Sequence, residues 1–78
     1  MNPNQIRLLQ QVGAAIIHAA ANGAPAGIMY AALMTQGCTL HQFEQITGGL
    51  VRAGMLTRDG DMLTATENGR ATVRAWGL

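Results

Sequence analysis

The stretch from Thr39 to Arg70, TLHQFEQITGGLVRAGMLTRDGDMLTATENGR, leaves the chain few ways to fold. Thr39 stands three residues ahead of Gln42, a capping-box spacing in which two side chains satisfy two orphan amides at a helix start. Leu40, Phe43, Ile46 and Leu50 follow at three- and four-residue steps, so a helix turns them onto one apolar side. Gly54 supplies the left-handed residue that stops such a helix. Asp59-Gly60 then sits between Met55-Leu56-Thr57-Arg58 and Asp61-Met62-Leu63-Thr64, and Asp-Gly between two such runs predicts a hairpin with a two-residue turn. Thr66 followed by Glu67 predicts a new N-cap with a carboxylate in the first turn, where the helix dipole favours it.

Upstream, Asn2-Pro3 marks a helix start, with proline at the first helical position. Ile6, Leu9, Gly13, Ile16, Ile17 and Ala20 define its apolar side, while Arg7, Gln10, Gln11 and Ala14 fall elsewhere on its surface. Asn22-Gly23 is the expected stop. Pro25 opens a second helix reaching about Met34, with Ile28, Ala32 and Leu33 toward the core, and Gln36-Gly37 ends it. Gly37-Cys38 becomes the turn between two helices. A short terminal helix over Glu67 to Trp76 turns Val73 and Trp76 inward or toward a second copy, and Leu56, Leu63 and Trp76 are expected to be at least half buried.

The segments Gly49-Leu50-Val51-Arg52-Ala53-Gly54-Met55-Leu56-Thr57-Arg58 and Leu63-Thr64-Ala65-Thr66-Glu67-Asn68-Gly69-Arg70 resemble the recognition helix and wing of the winged helix-turn-helix fold, as in MarR- and PadR-like bacterial regulators. That family typically shows a "leu-x-x-ala-gly-leu-leu" segment, a wing, and a "leu-thr-glu-x-gly-arg" segment, the last interrupted here by Ala65-Thr66. The resemblance implies an α+β fold over residues 1–78 as a single domain: three helices, a two-stranded wing hairpin and a short C-terminal helix. It also implies a DNA-binding transcriptional regulator, dimeric through its first and last helices.

Composition qualifies that expectation. In 78 residues there is room for one small domain, which buries only about 60% of its unfolded surface, so self-association helps it. Hydrophobic residues make up 49% and charged residues 12%, roughly half the usual charged share, and such a surface tends to adhere to something. The net charge of +1 comes from five arginines without lysine, not the strongly basic balance of a protein living on phosphate contacts. Cys38 is the single cysteine, so an internal disulfide is excluded and a reducing cytoplasm is compatible. Without signal-peptide order or a membrane-length apolar run, the expectation is a soluble, cytoplasmic protein.

For chemistry, His41, Gln42, Gln45, Gly48, Gly49 and Arg52 fall on or near the outward side of the third helix, with Glu44 at its edge. Glutamine can read adenine and arginine guanine in the major groove, so His41, Gln42, Gln45 and Arg52 are the candidate readers and Arg58 the candidate phosphate contact. The bland alternative is a solvated polar face. Asp59 and Asp61 at the wing tip repel phosphate, which Arg58 only partly offsets. Gly48-Gly49 costs about 1 kcal/mol per glycine against alanine, so something should require the missing side chains: close packing on the first helix, close approach of a ligand's backbone, or a bend of the helix there. These features favour a second reading, a winged-helix protein-interaction module binding a partner through Gly48, Gly49, Asp59 and Asp61. Cys38, His41 and His18 do not complete the four-ligand set that structural zinc wants, and no metal or cofactor is expected. Nucleophile elbow, phosphate loop and paired catalytic carboxylates are lacking, so an enzyme is not expected.

Overall fold

The structure, a computed structural model, describes residues 2–78. Four helices and three short strands alternate along the chain: α1 (Pro3–Ala19), β1 (Ala24–Pro25), α2 (Ala26–Met34), α3 (Leu40–Arg52), β2 (Leu56–Asp59), β3 (Met62–Ala65) and α4 (Glu67–Ala75). The strands form one antiparallel sheet in the order β1-β3-β2. The fold is therefore α+β. No described helix is long and apolar enough to cross a membrane.

Each helix that the caps announce begins where they place it. Asn2 and Gln5 close a capping box on α1, and Thr39 and Gln42 close one on α3. The Thr66 hydroxyl accepts the Gly69 amide at the start of α4 and donates to the Gly54 carbonyl at 2.7 Å. At the C-terminus of α3, Met55 N–H reaches Leu50 O at 2.9 Å and Gly54 N–H reaches Val51 O at 3.0 Å, the paired bonds of a Schellman stop.

The hairpin forms one residue out of step with the sequence expectation. Asp59 pairs with Met62, so the turn is Gly60-Asp61 rather than Asp59-Gly60. Gly60 has φ of +60° and Asp61 a negative φ, the pattern of a II′ turn with glycine at its first central position. Met55 consequently leaves the strand to join the helix stop, and Ala65 enters β3. A third strand was not expected. Ala24 and Pro25 pair with Leu63 and Met62, so Pro25 precedes α2 as its N-cap instead of opening it. Proline is tolerated there because β1 is an edge strand.

That pairing resets the phase of α2. The Ala26 amide donates to Asp61 O at 2.7 Å, and Ala26 and Met29 turn inward, with Tyr30 and Leu33 partly buried. Ile28, at 70% exposure, and Ala32 face out, against the expectation that they pack in the core. In α3 the buried line is Phe43, Thr47 and Leu50. Thr47 is a polar core residue that the apolar pattern alone passes over; its hydroxyl donates to Phe43 O at 2.9 Å and is thereby satisfied. Leu40 sits in the first turn, next to the exposed Gly37-to-Thr39 connection, and is 54% exposed rather than buried. Ala14, expected on the surface, is buried with Ile16, Ile17 and Ala20.

The core lies between the C-terminal half of α1, the sheet, α3 and α4. Ile16, Ile17, Phe43, Leu56, Leu63 and Val73 are its largest fully buried apolar side chains. Tyr30 packs on Phe43 with ring centroids 5.5 Å apart and planes tilted by 53°, a favoured aromatic arrangement. Trp76 is half-buried against the same cluster.

Gly69 is where the packing is tightest. A Cβ there would lie 2.9 Å from the Met55 carbonyl carbon and closer still to its oxygen, both of them backbone atoms that cannot swing aside. Gly69→Ala is expected to destabilise the domain by at least about 2 kcal/mol, measured as a lower urea midpoint at unchanged m-value. Thr39→Ala, which removes only a cap, is expected to cost about 1 kcal/mol in the same experiment.

Candidate functional site

Helix α3 presents its outward ridge because Phe43, Thr47 and Leu50 fix the opposite side in the core. At 100° per residue, His41, Gln45, Gly48 and Arg52 align along that ridge. His41, Gln45 and Arg52 are exposed, and among the described residues neither the His41 ring nor the Arg52 guanidinium has a hydrogen bond or ion pair.

The other two candidate readers are differently placed. Gln42 is exposed, but its Oε1 accepts the Thr39 amide at 2.9 Å. With the cap closed, one lone pair of its oxygen is taken and the amide is held at the helix start, so bidentate adenine contact would compete with the cap. Arg58 lies across from α3 on β2, where its Nη1 donates to Glu44 Oε2 at 3.4 Å and its Nε to Gly60 O at 3.0 Å. Both partners of that ion pair are exposed, so it contributes little to stability. Its consequence is local neutralisation: the hairpin's one cation is paired before any phosphate arrives.

The sequence candidates therefore separate into two sides. Arg52 and Arg58 share a shallow pocket with Glu44, Thr47, Gly48 and Val51, between α3 and β2. Gln42, and Gln45 from the flank of the ridge, line a cleft toward α1. His41 belongs to neither lining. Asp59 and Asp61 are exposed at the hairpin tip and do not line the pocket that holds Gly48. Arg70 donates to Ala65 O at 3.2 Å and Arg7 to Trp76 O at 3.1 Å, so neither joins Arg52 in a basic patch.

Gly48 and Gly49 do not owe their missing side chains to packing on α1. A Cβ at Gly48 would meet only the Arg52 guanidinium, at 3.3 Å, and one at Gly49 only the same group at 4.0 Å. That neighbour is the far end of a flexible side chain. The close packing offered from sequence for the glycine pair is absent from the described residues, and the space beside α3 stays open.

His18 Nε2 lies 3.0 Å from Leu78 O. Cys38 is a free, half-buried thiol whose Sγ is 3.5 Å from Thr39 O. Among the described residues no group of three His, Cys, Asp or Glu side chains is arranged to hold a metal ion.

No family model matches the chain, and neither the curated proteins nor the solved structures include a match to it.

With no intramolecular contact to lose, Gly49→Ala is expected to raise stability by up to about 1 kcal/mol through helix propensity alone, seen as a higher thermal midpoint in circular dichroism at low protein concentration.

Proposed function

We propose that the chain is a winged helix-turn-helix domain in which α2 and α3 form the helix-turn-helix and β2-β3 the wing, and that its α3 ridge binds duplex DNA as a small transcriptional regulator. The order of elements supports this reading, with its three-stranded antiparallel sheet and a third helix whose polar ridge is free of intramolecular partners. The single observation that carries it is the exposed line of His41, Gln45 and Arg52 on a helix whose register the buried Phe43, Thr47 and Leu50 lock. His41 and Gln45 would meet base edges, and Arg52 a base edge or phosphate. Arg58 would have to exchange Glu44 for phosphate, a swap between two anions that adds little affinity.

A second reading, a protein-interaction module of the same fold, is favoured by one specific observation: the Arg58–Glu44 pair and the carboxylates of Asp59 and Asp61 leave the hairpin without a free cation. Fold alone does not select between the two.

Fluorescence anisotropy with mixed-sequence duplex DNA at two salt concentrations separates them. DNA binding predicts an affinity that falls with salt and drops several-fold further in Arg52→Ala. It also predicts that Glu44→Gln, which releases Arg58 and removes a negative charge, binds more tightly than the wild-type chain, as does Asp61→Asn. Absence of binding at low salt by both the wild-type chain and Glu44→Gln removes the DNA reading and leaves the interaction module.

A further inference from the structure

Helix α1 is longer than the core it serves. Gly13, Ala14, Ile16 and Ile17 are buried, whereas no residue from Pro3 to Val12 is. The apolar stripe nevertheless continues. Ile6 and Leu9 lie seven and four residues before Gly13, on the same helix face, and are 45% and 42% exposed. Leu8, one position aside, is 61% exposed. Among the described residues, other elements cover this half of the helix only in part.

Two open clefts flank Leu9. On one side it faces Ile6, Gly13, Gly49, Leu50 and Trp76, and on the other Leu8, Val12, Leu33 and Cys38. Ile46 and Gln45 border both. Leu9 is thus a ridge between two apolar grooves, and the open space at Gly49 deepens one of them.

We propose that this face is where two copies of the chain pair about a two-fold axis, the exposed half of α1 and the adjoining side of α3 from each lying against the same surfaces of the other. Charge selects the occupant. A two-fold contact presents the same surface from both copies, so a face without charge meets a face without charge and buries no unpaired ion. Among the residues lining the two clefts none is charged, although the chain carries nine Arg, Asp and Glu side chains elsewhere. Arg7, on the same helix, reaches the Trp76 carbonyl and lines neither cleft. The polar side chains that do line them include Gln10, Gln36, Gln42 and Gln45; Gln42 and Gln10 already accept from Thr39 and Arg7, while the amides of Gln36 and Gln45 carry donor and acceptor together and can pair across the contact. A charged partner would find nothing here to answer its charge. Ridge and groove are also present on one face, as an isologous contact requires, with Leu9 of one copy seated in the groove beside Gly49 of the other.

The pairing leaves His41 and Arg52 of the α3 ridge outside both clefts, and of the ridge residues it takes only Gln45, which borders both. It differs from a dimer built on the first and last helices, because α3 in place of α4 supplies the second wall.

Size-exclusion chromatography with light scattering, and sedimentation equilibrium from micromolar to near-millimolar concentration, test it on the whole chain. The wild-type chain is expected to reach twice its 8.2 kDa mass, with an association that sodium sulfate strengthens, as apolar burial demands. Leu8→Glu and Leu9→Glu should each raise the dimer dissociation constant about tenfold or more. Both should keep the far-UV circular dichroism of the wild-type chain, Leu8→Glu most securely because that side chain lies outside the core. Ile28→Glu, at an exposed apolar position on α2 away from the clefts, should leave the dimer intact. A wild-type chain that stays at single-chain mass throughout, a Leu9→Glu dimer as tight as wild type, or a dimer lost in Ile28→Glu would each overturn the proposal.

Discussion

Met55 joins the two halves of this small domain. Its amide completes the stop of α3 by donating to Leu50 O, and its carbonyl accepts the Thr66 amide at 3.1 Å. Its side chain is buried, and its carbonyl lies so close to α4 that only glycine fits at position 69. Thr66 and Asn68 add side-chain bonds to the carbonyls of Gly54 and Ala53. One short segment thus ends a helix, starts a strand and receives the N-terminus of the next helix. Because these bonds are mostly backbone to backbone or side chain to backbone, they fix the geometry without large side chains, which an 8.2 kDa chain can ill supply.

The rest of the fold hangs from that junction through β3. Its Leu63 is fully buried, it pairs with both other strands, and the Ala65 amide donates to Ala20 O at 2.8 Å, tying the end of α1 to the sheet. The core is therefore concentrated at one end of α1. The other end is helical because a capping box and a proline start it there, and its apolar stripe is covered only in part by the described residues. A helix of 17 residues beside elements of two to thirteen must overhang, and the overhang is where this molecule has unsatisfied apolar surface.

Charge is sparse, and four of its nine carriers are engaged within the fold. Arg7 and Arg70 cap backbone carbonyls and Arg58 pairs with Glu44. What remains on α3 is a narrow polar ridge with a single free guanidinium. On the proposed DNA reading, contact would rest on shape and hydrogen bonding rather than on a broad electrostatic footprint.

Local chemistry was legible wherever it is local. The capping boxes at Asn2 and Thr39, the Thr66 cap and the glycine stop at Gly54 were readable in the sequence because their partners lie within a few residues. The buried status of Phe43, Leu50, Leu56, Leu63 and Val73 followed from periodicity for the same reason. Features settled by distant partners were not legible. The pairing of Ala24-Pro25 with Met62-Leu63 spans some forty residues, and it alone turned Ile28 outward and Met29 inward. The register of the hairpin, and with it the place of the turn, depended on Met55 being drawn into the helix stop. Of the candidate site, sequence spacing placed His41, Gln45 and Arg52 on one ridge. Only tertiary structure decided that Arg58 meets Glu44, that Gln42 faces α1, and that Gly48 and Gly49 border open space. The physical reason is common to all of these: a helix or a cap needs only its neighbours in sequence, while a pairing, an ion pair or an uncovered face exists only once separate elements have met.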